Sequence, residues 1–153
     1  MTVTTSWDEH FLAHARLAAT RSKDPSTQVG AVIVGPDREI RATGYNGFPR
    51  RCDDAEGLYL DRDVKHLRVV HAEANAVAAA ARVGTPLTGC TAYVTAPCCA
   101  QCAALLIQAG VREIIWPAGV ELRSSWLPSV REARRMLDEA GVTVRVIGDK
   151  VPA

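Results

Sequence analysis

The chain is predicted to fold as a three-layer α-β-α sandwich around a mixed five-stranded sheet, and three observations predict it. Short β-rich runs alternate with helical patterns along most of the length, which favours layered α/β architecture with helices on both faces. The run Val29-Gly-Ala-Val-Ile-Val34 is almost wholly apolar, as expected of a strand covered on both sides. Two adjacent β-runs near the start are joined by a turn, which places an antiparallel pair in a sheet whose other crossovers pass through helices.

The elements follow in order. Ser6-Trp7-Asp8-Glu9 has the form of a capping box, so a helix is predicted over 7–21, with Phe11, Leu12, Ala15, Ala18 and Ala19 at helical spacing toward the core. His10 and His14 are read as solvated helix-surface residues, not as ligands. Lys23-Asp-Pro-Ser-Thr27 is turn chemistry, because Pro25 cannot continue a helix and Asp, Ser and Thr bond local backbone. Strands over 28–34 and 39–45 flank Gly35-Pro-Asp-Arg38 and make a hairpin. Residues 46–68 lack periodicity and are too long for an idle connection, so they are read as a lid or binding loop.

Residues 71–82 are nearly all alanine after Glu73 and predict a helix packed closely on its neighbours. Gly84, Pro86 and Gly89 end it. A strand over 90–95, a helix over 99–109 closed by Gly110, and a buried strand over 111–116 come next. A loop over 117–127 holds Gly119 and Trp126. A helix over 129–140 turns Val130, Ala133, Met136 and Leu137 inward, with Arg131, Arg134 and Arg135 on a solvated face. Gly141 stops it, and Val142, Val144 and Val146 alternate in a last strand over 142–147.

The totals of 153 residues, 48% apolar and 23% charged fit one globular domain over 1–153. A formal charge of +1 gives no electrostatic reason to expect nucleic acid or an anionic membrane as partner. No apolar run approaches the roughly 20 residues of a membrane span, and Met1-Thr-Val-Thr-Thr-Ser lacks a signal pattern. A cytoplasmic location is the expectation. Five cysteines, at 52, 90, 98, 99 and 102, are odd in number and clustered, which in a reducing compartment points to metal or redox chemistry rather than a disulfide framework. Cys90, inside a predicted strand, is most simply a small buried hydrophobe.

Two motifs carry the chemistry. Cys99-Ala-Gln-Cys102 puts two sulfurs on one face of a helix start, and His71-Ala-Glu73 opens another helix. Three zinc ligands, His71, Cys99 and Cys102, leave a position open for water, the arrangement of catalytic rather than structural zinc. Glu73 is then the spare carboxylate, placed to take the water's proton and pass it to a ring nitrogen and a leaving amine. A His-x-Glu followed by a Cys-x-x-Cys is the recognised signature of zinc nucleobase deaminases. Two competing readings stay open: a thiol-disulfide redox pair at Cys99 and Cys102, and a structural zinc closed by Cys98, Cys52 or Cys90.

Beyond these motifs, the chain resembles the deoxycytidylate deaminases of the cytidine deaminase superfamily. The segments that carry the resemblance are Trp7-Asp-Glu-His-Phe, Arg21-Ser-Lys-Asp-Pro-Ser-Thr-Gln-Val-Gly-Ala-Val-Ile-Val, Gly44-Tyr-Asn-Gly-Phe-Pro, His71-Ala-Glu-Ala-Asn-Ala and Cys102-Ala-Ala-Leu-Leu-Ile-Gln-Ala-Gly. The resemblance implies the cytidine-deaminase-like version of the sandwich and hydrolysis of dCMP to dUMP and ammonia. It implies a sugar contact at Asn46 and a pyrimidine contact at the Ala72 backbone. It also implies a homo-oligomer and, as in some members, dCTP and dTTP as effectors. Lys23, Ser26 and Thr27 are the candidate phosphate contacts, since hydroxyls and turn amides suit an anion. Three departures stand out: Cys98 occupies the family proline position, Lys65-His-Leu-Arg-Val-Val70 replaces an aromatic segment, and Arg50-Arg-Cys-Asp-Asp54 differs from the usual loop.

Overall fold

The computed structural model describes residues 4–148. Helix α1 spans Trp7–Ala19. Its capping box forms as predicted: the Glu9 amide donates to the Ser6 hydroxyl at 3.2 Å and the Ser6 amide to the Glu9 carboxylate at 2.9 Å. Phe11, Leu12, Ala15 and Ala19 are buried. The helix stops at Ala19, short of the predicted 21, where the Thr20 hydroxyl turns back onto the Leu17 carbonyl at 2.7 Å.

Strands β1 (Gly30–Val34), β2 (Ile40–Tyr45), β3 (Thr91–Val94), β4 (Glu113–Pro117) and β5 (Thr143–Ile147) form one sheet in the order β2-β1-β3-β4-β5. β1 runs antiparallel to β2 and β3, whereas β3, β4 and β5 are parallel. β1 starts later than predicted because the Val29 amide is taken by the Asn46 side chain at 2.8 Å. The period of two then sorts the core into two halves. Ala31, Ile33, Ala92, Val94, Ile114 and Trp116 face α4 (Ala72–Val83), α5 (Ala100–Gln108) and α6 (Leu127–Glu139). Val32, Val34, Tyr93 and Ile115 face α1. The result is the predicted sandwich. At the β5 edge, Arg145 donates to Asp8 of α1 at 2.8 Å and to Glu113 of β4 at 2.7 Å, and the Tyr93 hydroxyl donates to Asp8 at 2.9 Å.

The stretch over 46–68, predicted to be irregular, is largely helical. α2 (Glu56–Leu60) and α3 (Arg62–Arg68) meet at Asp61, whose carboxylate caps α3 by accepting the Asp63 and Val64 amides at 3.1 Å each. Each helix is under two turns, too short to print an apolar period in the sequence. Tyr59 is buried and stacks on Phe48, with ring centroids 4.0 Å apart. The excursion is closed by a clasp in which Gly47 and Val70 exchange two backbone hydrogen bonds, at 3.1 and 2.8 Å. Three helix starts also shift. His71 and Cys99 cap α4 and α5 from just outside, and α6 starts at Leu127 after a 3-10 turn, Ser124–Trp126. Pro128 sits in the first turn of α6, where its missing amide costs nothing.

What positions the site is the approach of α4 to β2. A Cβ on Gly44 would collide with the Ala72 carbonyl and the Ala76 amide, so glycine is required and the helix rests directly on the strand. Ala72, Ala76 and Ala80 are fully buried in that contact. Gly44→Ala is therefore expected to destabilise the fold by about 1–3 kcal/mol, the cost of overpacking a filled core. Urea denaturation of the variant beside the parent protein checks this, and unchanged stability would mean the helix has room to move.

Candidate active site

The site assembles at the starts of α4 and α5. β2 and the Gly47–Val70 clasp deliver His71 to the head of α4, while the end of β3 runs through Thr95 to Cys98 and delivers Cys99 to the head of α5. The His71 Nδ1 atom lies 3.4 Å from the Cys99 sulfur and 3.4 Å from the Cys102 sulfur. All three donor atoms fall within 4.8 Å of one another. A tetrahedral zinc with ordinary bond lengths holds a nitrogen and a sulfur ligand about 3.5 Å apart, so this donor set fits the ion. Among the described residues no fourth His, Cys or carboxylate joins the group, which speaks against a closed structural site. A thiol-disulfide pair at Cys99 and Cys102 would leave the buried Glu73 in the same cavity without a role.

The local electrostatics favour thiolate at the start of α5. A hydrogen bond from Cys102 lowers the Cys99 thiol to about 4; burial opposes this and the His71 imidazole adds to it. The same bond holds the Cys102 thiol up. The bond to Cys99 in turn raises His71. Glu73, two residues into the same corner, is only 5% exposed, and burial raises its carboxyl above the usual range. Cys98 is buried and stands outside the donor group.

A cavity of about 320 Å³ opens over these residues. Its walls include Ser26, Thr27, Asn46, Ala72, Glu73 and Trp126, and also Lys65, His66 and Arg123. Ser26, Thr27, Asn46 and Ala72 are thus brought together with the donor set. Lys23 is not: its side chain is 63% exposed and its Nζ pairs with Asp54 at 2.7 Å. Arg68 is also away from the wall, its guanidinium turned to the Asp53 carbonyl at 3.5 Å.

Asn46 bonds the protein through both of its amide atoms. Its Oδ1 accepts the Val29 amide at 2.8 Å, and its Nδ2 donates to the Thr27 carbonyl at 2.8 Å and to Asp24 at 3.4 Å. Asp24 is the knot of this wall. Its carboxylate accepts the amides of Ser26 and Thr27 at 2.9 and 3.2 Å and pairs with Lys65 at 2.7 Å. Lys65 also donates to the Ser26 hydroxyl at 2.8 Å. The sequence reading missed Asp24 and Lys65 as site residues. Asp24 was visible as an Asx-type turn former, but nothing in the sequence placed Lys65 beside it, because that placement depends on α3.

A three-donor metal set with one position to spare, beside a buried carboxylate, defines the class: a zinc-dependent hydrolytic deaminase. The family model of the cytidine and deoxycytidylate deaminase zinc-binding region matches residues 5–118. The chain belongs to that family. The probable deoxycytidylate deaminase of Drosophila melanogaster is 40% identical over 146 residues, covering 89% of this chain and 70% of the fly protein. The human deoxycytidylate deaminase is 40% identical over 147 residues, covering 91% and 78%. Among solved structures, dCMP deaminase from the cyanophage S-TIM5 in complex with dCMP and dUMP superposes with a TM-score of 0.73 at 23% identity, covering 95% of this chain and all of the phage chain. That likeness is one of fold.

The Asp24–Lys65 pair generates a pH-dependent expectation. Burial raises the Asp24 carboxyl, but the Lys65 ammonium and the Ser26 amide and hydroxyl outweigh it, so the group sits below its ordinary value. A depressed carboxyl contributes stability that is present above its unfolded-state pKa and lost as pH falls through the folded-state value. Removing the cation leaves a buried charge unpaired, so Lys65→Met is expected to cost about 3–5 kcal/mol near neutral pH. The difference from the parent protein should shrink as acid protonates Asp24. Guanidinium melts across that range measure it; a loss that does not depend on pH would show that Lys65 contributes packing alone.

Proposed function

We propose that this chain hydrolyses dCMP to dUMP and ammonia, with His71, Cys99 and Cys102 holding zinc and Glu73 moving protons. The observation that carries the proposal is the coincidence of the three-donor set and the buried Glu73 in one cavity. The relatives named deoxycytidylate deaminase, 40% identical over nearly the whole chain, direct it to the monophosphate. A cavity of about 320 Å³ suits one small nucleotide.

Zinc, when bound, lowers the pKa of a water toward neutrality and so supplies the nucleophile for C4 of the base. Glu73 takes a first proton from the water and delivers it to the ring nitrogen, then takes the second, from the hydroxyl added at C4, and delivers it to the departing amine as the C4–N bond breaks. Its burial serves that role, because a carboxyl raised toward working pH can hold a proton between transfers. Ala72 stands at the first turn of α4, where amides lack an intrahelical acceptor; its N–H donates to the pyrimidine carbonyl. Asn46 Oδ1 keeps a second lone pair, which accepts from the sugar hydroxyl. The Ser26 and Thr27 hydroxyls bind the phosphate, Ser26 by giving up the bond that its hydroxyl donates to Asp24 at 3.0 Å. Their amides are spent on Asp24, so the cation there is Lys65.

Two further parts of the proposal rest on the family resemblance: assembly into a homo-oligomer, and regulation by dCTP and dTTP. Cytoplasmic residence is supported by five cysteines that are all free thiols. No helix among the described residues is long and apolar enough to cross a membrane.

Chromatography after incubation with dCMP, CMP, deoxycytidine and dCTP tests the substrate, with dUMP expected from dCMP. Absence of any uracil product from the four would sink the proposal. Repeating the dCMP assay with added dCTP or dTTP reads the effector question directly. Glu73→Gln is expected to keep one zinc per chain by metal analysis while turnover falls by about 10²–10⁴-fold, the usual share of general acid-base catalysis. Loss of zinc from that variant would make Glu73 a ligand instead of a shuttle.

A further inference from the structure

The two helices that carry the zinc donors lack ordinary caps. His71 and Cys99 occupy the N-cap positions of α4 and α5, and neither side chain bonds a helix amide. Ser, Thr, Asp or Asn usually stands there and satisfies one of the orphan donors of the first turn. At α5 the acceptor comes from another element. The Ser129 hydroxyl of α6 accepts the Ala100 amide at 2.9 Å, a contact between residues 29 apart in the chain. One turn earlier, Trp126 lies against the His71 imidazole, with ring centroids 5.5 Å apart and planes at 39°. Residues three apart share a helical face, so a single corner of the fold touches both ligand-bearing helix starts. Ala133 and Leu137, both fully buried, fix α6 behind that corner.

We infer that Ser129 is a positioning residue for the metal site, with Trp126 as its packing counterpart at His71. The inference rests on the zinc reading above. The Ala100 amide belongs to the peptide that directly follows Cys99, so holding it sets the backbone from which the Cys99 sulfur projects toward His71. A metal-binding histidine is usually oriented by a hydrogen bond from its second ring nitrogen. Among the described residues, the bonds of His71 run only from Nδ1, to the two sulfurs, and the indole of Trp126 restricts the ring in place of such a bond. The donors are in this way held from behind by a residue that touches neither metal nor substrate.

Zinc affinity tests this without reference to turnover. The full chain is stripped of metal, and its affinity is measured by competition with a chromogenic chelator for the parent, Ser129→Ala, Ser129→Thr and Ser129→Val. The Ala and Val variants are expected to bind zinc about 10-fold more weakly, as for loss of a group that orients a ligand, and Thr is expected to return to within about twofold of the parent. Thr and Val differ by little more than the hydroxyl, so this pair keeps the test decisive if Ala fails to fold. Parent-like affinity in Val, or Thr as weak as Val, would overturn the inference. A parent protein that binds zinc but leaves dCMP unchanged would sink the substrate reading alone.

Discussion

No side chain separates the start of α4 from β2. At Gly44 the strand meets the Ala72 carbonyl and the Ala76 amide directly, and the rest of the helix presents methyl groups to the sheet. Such a contact has almost no rotamer freedom through which to adjust, so the position of α4 is fixed by backbone geometry. His71 caps this helix and Glu73 sits in its first turn. Both therefore inherit their places from a glycine and a run of alanines.

The donors are bought at the expense of helix caps. A histidine and a cysteine at N-cap positions leave first-turn amides without local acceptors. Those amides are also the positive ends of two helix dipoles, and both point to the corner where the thiols stand. What weakens the helix starts as structure makes them suited to thiolate and to an anionic substrate. The wall opposite shows the reverse economy. Asp24 holds Asn46, Lys65 and two backbone amides at once, so the polar groups of the turn are paired within the protein.

The sandwich was legible because its signals are local: the capping box at Ser6, the apolar run of β1, the alternating valines near β5, the glycines closing α4, α5 and α6. The donor set was legible only in combination, because Cys99-Ala-Gln-Cys102 alone fits redox chemistry as well as zinc and His71-Ala-Glu73 turns it toward zinc. What escaped reading is non-local. Lys65 enters the site only because α3 turns it back toward Asp24, and α3 is too short for a period to show. Ser129 looks like an ordinary residue of an amphipathic helix until α6 is laid against α5. Lys23 was drawn toward the phosphate by its neighbours in sequence, but its side chain follows Asp54 outward instead.

The clasp between Gly47 and Val70 bears on how such a site diversifies. Everything from 48 to 69 leaves and returns through two backbone hydrogen bonds, with Asn46 just before the clasp and His71 just after it. The excursion can lengthen, shorten or change its helices while those two residues stay where they are, because the entropic cost of a longer closed loop grows only with the logarithm of its length. The chemistry of the metal corner and the shape of the wall facing it are thus separately variable. Editing that one closed segment can change the lining of the cavity while α4 and the residues at its start keep their places.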